Sequence, residues 1–307
     1  MSSMKKQLLL MKRESSYGTD PTPTASLNAA KVSGLTIVPL EMDSVAPDYA
    51  LGDFSKDASF PGQRRARVSF SWDFRPAATA GTAPDIAAAL RACGFAETVT
   101  ADTSVEYTEV SESIDSVTFY TWAGGTKHVL TGARGTVTLQ CQPGQLPQLQ
   151  FEFTGLYATP TDTALPDPTF PDMLAPVTVS KAATAFTYNA VQLVLHQLTL
   201  QLGNQVVFRD KPNYAGVDID DRTPGGQLSV HQAALASANL FTDAAVPNLR
   251  AVALTHTVAV GRSASVALAK TQVESPTYAA DGQLRLVQAN LATRRNPSGP
   301  DISILFT

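Results

Sequence analysis

Hydrophobic and polar positions alternate along most of this chain. Residues 68–74 read VSFSWDF, with Val68, Phe70, Trp72 and Phe74 on one face; residues 149–156 read LQFEFTGL, and residues 191–202 read VQLVLHQLTLQL. A period of two, built from aromatic, β-branched and leucine positions, predicts half-buried strands. Further strands are predicted at residues 32–41, 104–110, 116–122 and 127–130. The turn Ala123-Gly124-Gly125-Thr126 joins the last two as a hairpin, and residues 135–157 predict a second hairpin around a Pro/Gly turn. Residues 84–93 (PDIAAALRAC) break the rule. Pro84 and Asp85 suit a first helical turn, Ile86, Ala89, Leu90 and Cys93 form one stripe, and Gly94 ends it, so this segment predicts a short helix.

Two stretches interrupt the strands. Residues 42–62 carry Pro47, Pro61 and four acids among the apolar side chains Val45, Tyr49, Leu51, Phe54 and Phe60. Residues 203–226 carry Tyr214, Asp218, Asp220 and Asp221 between glycines and prolines. Both read as long loops, and the apolar content of the first predicts that it packs on another surface. Between them, residues 158–176 are rich in Pro, Asp and Thr and predict a linker. Beyond it the earlier order returns: strand, long loop, strand, helix, hairpin, closing hairpin. Residues 227–233 answer 67–73, 234–241 answer 88–95, 250–260 answer 116–125, and 284–291 answer 149–156. A repeat of this length means a duplicated domain. The expected organisation is an N-terminal arm (1–31), a first β domain (32–157), a linker (158–185), a second β domain (186–293) and a C-terminal segment (294–307). The arm contains an extended Asp20-Pro21-Thr22-Pro23 run, and its residues 7–11 predict a short strand added to a neighbour's sheet. The apolar residues 302–306 must pair with their own sheet or the next subunit's. The fold class is mainly β: two tandem β-sandwich or barrel domains, each with a small flanking helix.

Charge narrows the function. Lys5, Lys6, Lys12 and Arg13 put four positive charges in the first thirteen residues, which leaves the rest at −8 against the chain's −4. An acidic body argues against general affinity for nucleic acid backbones. The remaining basic cluster, Arg64, Arg65 and Arg67, is expected to form salt bridges with the acidic loop of a neighbouring subunit. Cys93 and Cys141 predict two buried free thiols rather than a disulfide framework. His128, His196, His231 and His256 are scattered without metal-ligand spacing, so structural roles are expected. No serine nucleophile elbow, phosphate loop or CxxC pair is present. The Asp218–Asp221 run lacks the rest of an ion loop and is expected to be a solvated or subunit-bridging turn. No enzyme activity, cofactor or metal is expected. Residues 8–11 are too short a run for a secretory signal, which needs roughly 7–15 apolar residues.

The chain resembles the two-domain major tail tube proteins of long, non-contractile-tailed bacteriophages. The stretches that carry the likeness are KRESSYGTDPTPT (12–24), LTIVPLE (35–41), AALRACGF (88–95), GARGTVTL (132–139), PQLQFEFTGLYATPTD (147–162), LGNQVVFRD (202–210) and DRTPGG (221–226). The resemblance implies the tail-tube type of β-sandwich and a virion structural protein made in the host cytoplasm. It implies three chains closing a pseudo-sixfold ring, rings stacking into a tube, and double-stranded DNA passing through without specific binding. Its implied partners are copies of itself, tail-tip and tail-terminator proteins, and a tape-measure protein in the lumen, with no membrane insertion. On this reading Val45, Tyr49, Leu51, Phe54, Phe60, Tyr214, Asp218 and Asp221 belong to contacts between rings. The rival reading is a β-sandwich virion module that binds a receptor or carbohydrate; with Trp72 and Trp122 as the only tryptophans, it has little to build a sugar platform from.

Overall fold

A computed structural model describes residues 5–50 and 52–307. Residues 1–4 and Leu51, one of the apolar loop positions named above, lie outside the described residues. The first half contains β1 (Gln7–Arg13), β2 (Ser33–Val45), β3 (Phe60–Asp73), α1 (Ala87–Ala92), β4 (Phe95–Thr100), β5 (Ser104–Glu109), β6 (Val117–Ala123), β7 (Thr126–Cys141), β8 (Gln148–Tyr157) and β9 (Thr161–Asp162). The second contains β10 (Thr184–Tyr188), β11 (Val191–Gln192), β12 (Leu195–Gln201), β13 (Asn204–Lys211), β14 (Tyr214–Arg222), β15 (Gly225–His231), α2 (Leu240–Ala245), β16 (Arg250–Ala259), β17 (Arg262–Asp281), β18 (Leu284–Thr293) and β19 (Ile302–Phe306). The fold is mainly β, with one short helix on each half.

Antiparallel pairing runs β1–β6–β7–β8–β3–β2 in the first half. In the second it runs β10–β16–β17–β18–β15–β12. The two orders correspond strand for strand. The helices correspond too, α1 following β3 and α2 following β15. The faint sequence repeat is therefore a repeat of topology, kept because each strand needs the same neighbours to bury the same face.

The alternation in β3 explains its burial. Ala66, Val68, Phe70 and Trp72 are buried, while the residues between them are partly open. Phe70 stacks on Phe151 at 5.1 Å and Phe119 meets Phe153 at 4.8 Å. Helix α1 lays Ile86, Ala89, Leu90 and Cys93 on this core, all fully buried. Its chain leaves through Gly94 at φ +88°, the left-handed geometry that ends helices without a Cβ clash. Both cysteines are buried free thiols, and burial pushes both thiols well above their ordinary range.

The halves share one hydrophobic core. The last residues of β7, Thr138–Cys141, pair with Leu198–Gln201 of β12. Strand β19 lies between β17 of its own half and β5 of the other. Its Phe306 packs edge-on against Trp72, Phe74 and Tyr107 at 5.6–6.2 Å.

Several expectations need correction. The segment expected to add to a neighbour's sheet is a strand of this chain: β1 pairs with β6 over seven residues. Its Leu8, Leu9, Leu10 and Met11 are buried, because four consecutive apolar side chains cover both faces of the sheet at once. The second long loop is largely a hairpin, β13–β14. Its turn is Pro212-Asn213 with Asn213 at φ +67°, the proline-then-left-handed pair that a type II turn asks for. The helix of the second half starts at Leu240, at the end of the expected segment 234–241, and runs past it; at its start the Asn239 side chain accepts a hydrogen bond from the Thr242 N–H at 3.1 Å. The predicted strand over 191–202 is broken into β11 and β12. Within the expected linker, Met173 bridges Ala77, and Val179 exchanges backbone hydrogen bonds with Gly144 and Gln145.

Candidate functional site

Among the described residues, the features that stand out are strand edges, hairpin tips and charge pairs. The first feature is a matched set of edges. Inside the chain, β12 adds to β7 beyond the point where β6 leaves it, since β6 pairs up to Ala133 and β12 from Thr138. The counterpart of β7 is β17. Strand β16 leaves it at Thr271, and among the described residues Gln272–Asp281 then pairs on one edge only, with β18. The counterpart of β12 is β2, which pairs only with β3 among the described residues. One junction is thus made within the chain, and its two equivalent mates are both open. An open edge is a row of unpaired N–H and C=O groups, a template for another strand. Along β2, Val38, Leu40 and Met42 are exposed, so this edge is also apolar.

The second feature is the tip of the β2–β3 hairpin. The hairpin closes at Val45 opposite Phe60, which shortens the predicted loop at both ends. Beyond that pair, Tyr49 and Phe54 are exposed, Phe54 fully, and Val45 and Phe60 are more than half exposed. Nothing in the described chain covers them. The same hairpin holds the basic cluster. Arg65 Nη2 donates to Glu41 Oε1 at 2.6 Å, and its Nη1 lies 3.7 Å from Asp43 Oδ2. Arg67 Nε lies 2.6 Å from Glu41 Oε2. The hydrogen bond from Arg65 is the main cause holding the Glu41 carboxyl below its ordinary range. Arg65 and Arg67 therefore find acids on their own β2, directly across the ladder, while Arg64 points to solvent.

The third feature is the β13–β14 hairpin, which lies on the first half. Tyr17 Oη accepts a hydrogen bond from the Val217 N–H at 2.5 Å and donates to the Gly132 carbonyl at 3.1 Å. Burial raises the Tyr17 phenol and keeps it protonated for that donation. The Arg134 guanidinium stacks 4.9 Å from the Tyr17 ring and reaches Asp218 Oδ1 at 3.0 Å. Asp218 also takes Arg209 at 2.7 Å and the Tyr214 hydroxyl at 3.0 Å. Burial pushes the Asp218 carboxyl up, but the bonds from Arg209 and Tyr214 and the charge of Arg134 outweigh it and hold it low. Of the three positions named on this loop, Asp218 is engaged inside the chain, Tyr214 is exposed but tied to it, and Asp221 accepts from the neighbouring Arg222 N–H at 2.8 Å.

The histidines divide. His256 is buried against the Thr184 hydroxyl at 2.8 Å. His196 and His231, far apart in sequence, come together with Asp281. Sequence spacing missed that group because its members sit on three different strands.

No helix among the described residues is long and apolar enough to cross a membrane. None of the curated proteins compared with the chain matches it. The family model for the phage tail tube protein matches residues 4–302, spanning both halves and both open edges. The chain belongs to that family, and it is a structural component of the virion tail.

Proposed function

We propose that copies of this chain close into a ring by repeating between chains the junction that each makes within itself. The observation that carries this is the matched pair of open edges: β17 beyond Thr271, and β2, stand where β7 and β12 already pair. Three chains then give six similar units, and closure leaves no unpaired edge. Rings stack through the β2–β3 tip, with Val45, Tyr49, Leu51, Phe54 and Phe60 entering the next ring. Tyr214 and Asp221 extend that contact, and Asp218 fixes Tyr214. Arg64 is the member of the basic cluster left for a neighbouring subunit. The tube conducts double-stranded DNA during ejection, and the acidic body favours passage over binding. Tail-tip, tail-terminator and tape-measure proteins are its other partners, and its role is structural rather than catalytic.

Electron microscopy of the purified protein across a concentration series tests this, with two variants. The unaltered chain forms hollow tubes with threefold or pseudo-sixfold rings. Val38→Lys with Leu40→Lys charges the β2 edge and leaves monomers, since lysine on an edge strand opposes pairing. Replacing residues 46–59 by Asn-Gly, a two-residue hairpin turn, leaves rings that do not stack. Normal tubes from the double lysine variant overturn the edge junction. Single particles that bind a glycan array replace the tube reading with the binding module.

A further inference from the structure

We propose that His196, His231 and Asp281 form a site for a divalent transition metal of the zinc class. The site rests on these three side chains and not on the ring junction, although Asp281 is also the last residue of the β17 edge assigned to that junction. His196 lies on β12, His231 at the end of β15, and Asp281 at the end of β17, beside the turn at Gly282-Gln283. His196 Nδ1 is 3.6 Å from Asp281 Oδ2, and His231 Nε2 is 3.9 Å from the same oxygen. One ligand atom from each residue lies within 4.8 Å of the others.

The spacing suits an ion. A tetrahedral zinc with bonds of about 2.1 Å holds its ligand atoms roughly 3.4 Å apart. The site thus needs closure by only a fraction of an ångström on the two measured sides. The two imidazole rings stand at 81° to each other, so they approach from different directions rather than stacked. The backbone fixes the ligands. His231 is registered opposite Leu286, and Asp281 opposite Leu284. Register shifts occur between Leu195 and Gln197 in β12 and between Glu274 and Thr277 in β17, and such irregularities bend strands and re-aim side chains.

The charge also suits an ion. Among the described residues, no Lys or Arg lies within ion-pair distance of Asp281; its partners are the two histidines. Two neutral imidazoles and one carboxylate leave a net negative charge that a dication would neutralise. Two nitrogens and one oxygen select zinc, nickel, cobalt or copper over magnesium and calcium, which take oxygen ligands. The side chains are 25–46% exposed, so an ion can enter, and the remaining coordination position is open to water. The bound ion would tie the β17–β18 turn to β12 and β15.

The test is a calorimetric titration of the untagged full chain with Zn²⁺, and a parallel titration with Co²⁺ followed by its visible absorption. The expected result is one Zn²⁺ per chain, a Co²⁺ spectrum of nitrogen and oxygen ligation, and no displacement by Mg²⁺. His196→Ala and Asp281→Asn should each weaken binding roughly tenfold or more, at least what loss of a supporting group costs a metal site; His128→Ala should not. The absence of saturable binding in the unaltered protein overturns the proposal. So does unchanged affinity in His196→Ala with His231→Ala. The Co²⁺ spectrum of the unaltered chain reads the site without any variant having to fold.

Discussion

Glu14 shows at the residue scale how a polar segment becomes part of a core. It is 4% exposed, inside a stretch that the sequence presents only as extended and hydrophilic. Its Oε2 accepts from the Gly18 N–H at 2.7 Å and the Ser116 hydroxyl at 2.6 Å. Its Oε1 accepts from the Thr118 hydroxyl at 2.6 Å and the Gly132 N–H at 2.7 Å. Four donors replace the water that the carboxylate lost, and they tie the chain after β1 to β6 and β7. Glu14→Ala strands those donors in a dry site, and the expected cost is about 3 kcal/mol. Urea unfolding with an unchanged m-value checks it; a loss below about 1 kcal/mol would mean that water replaces the carboxylate. Such residues are hard to read from sequence because three of these four partners lie more than a hundred positions away. His196, His231 and Asp281 are likewise separated, by 35 and 50 positions, whereas Tyr49 and Phe54 were legible as assembly candidates because an apolar side chain in a turn-rich loop is anomalous by itself.

At the scale of elements, legibility followed periodicity. Strand β3, helix α1 and the β7–β8 hairpin were all visible, because each repeats a burial pattern over several positions. The β13–β14 hairpin was hidden: Pro212, Gly216 and four acids resemble loop punctuation, and its strands bury little of their own. What holds it is contact with the first half. Arg134 donates to the carbonyls of Val217 at 2.9 Å and Ile114 at 2.8 Å. Arg222 donates to the Val110 carbonyl at 2.7 Å, and the Asn204 amide to those of Cys93 and Gly135 at 2.7 and 2.8 Å. Asp218 is the acid of this set, and its carboxyl sits below the ordinary 3.8. A depressed carboxyl contributes stability that is fully present above its unfolded value and is lost as pH falls through its folded one. Asp218→Asn should therefore cost roughly 1–2 kcal/mol at pH 7, and the gap from the unaltered protein should narrow progressively below pH 3.8. Urea unfolding of both proteins from pH 7 to pH 3 reads it; a gap that stays constant into acid would show that the Asp218 charge does not hold the hairpin.

For the whole molecule, the repeat was legible but the way its halves combine was not. Sequence similarity divides the chain at the linker, yet the physical division is blurred by two crossings: β12 completes β7, and β19 is shared by β17 and β5. Neither crossing has a local signature, since a strand's sequence specifies that it pairs and which face it buries, not which copy of a repeated fold supplies the partner. Phe306 makes the consequence measurable, because a residue of the last strand fills the aromatic cluster of Trp72, Phe74 and Tyr107 in the first half. If the halves are one cooperative unit, calorimetry should give a single transition with equal calorimetric and van't Hoff enthalpies. Phe306→Ala should then lower stability by about 3–5 kcal/mol, the usual cost of truncating a buried phenylalanine, without splitting that transition. Two transitions in the unaltered protein would show that the shared strands do not couple the halves. A single one fits the ring closure proposed above: there the junction within each chain bears the same load as the proposed junction between chains, and a unit that opened at its own seam would open the ring.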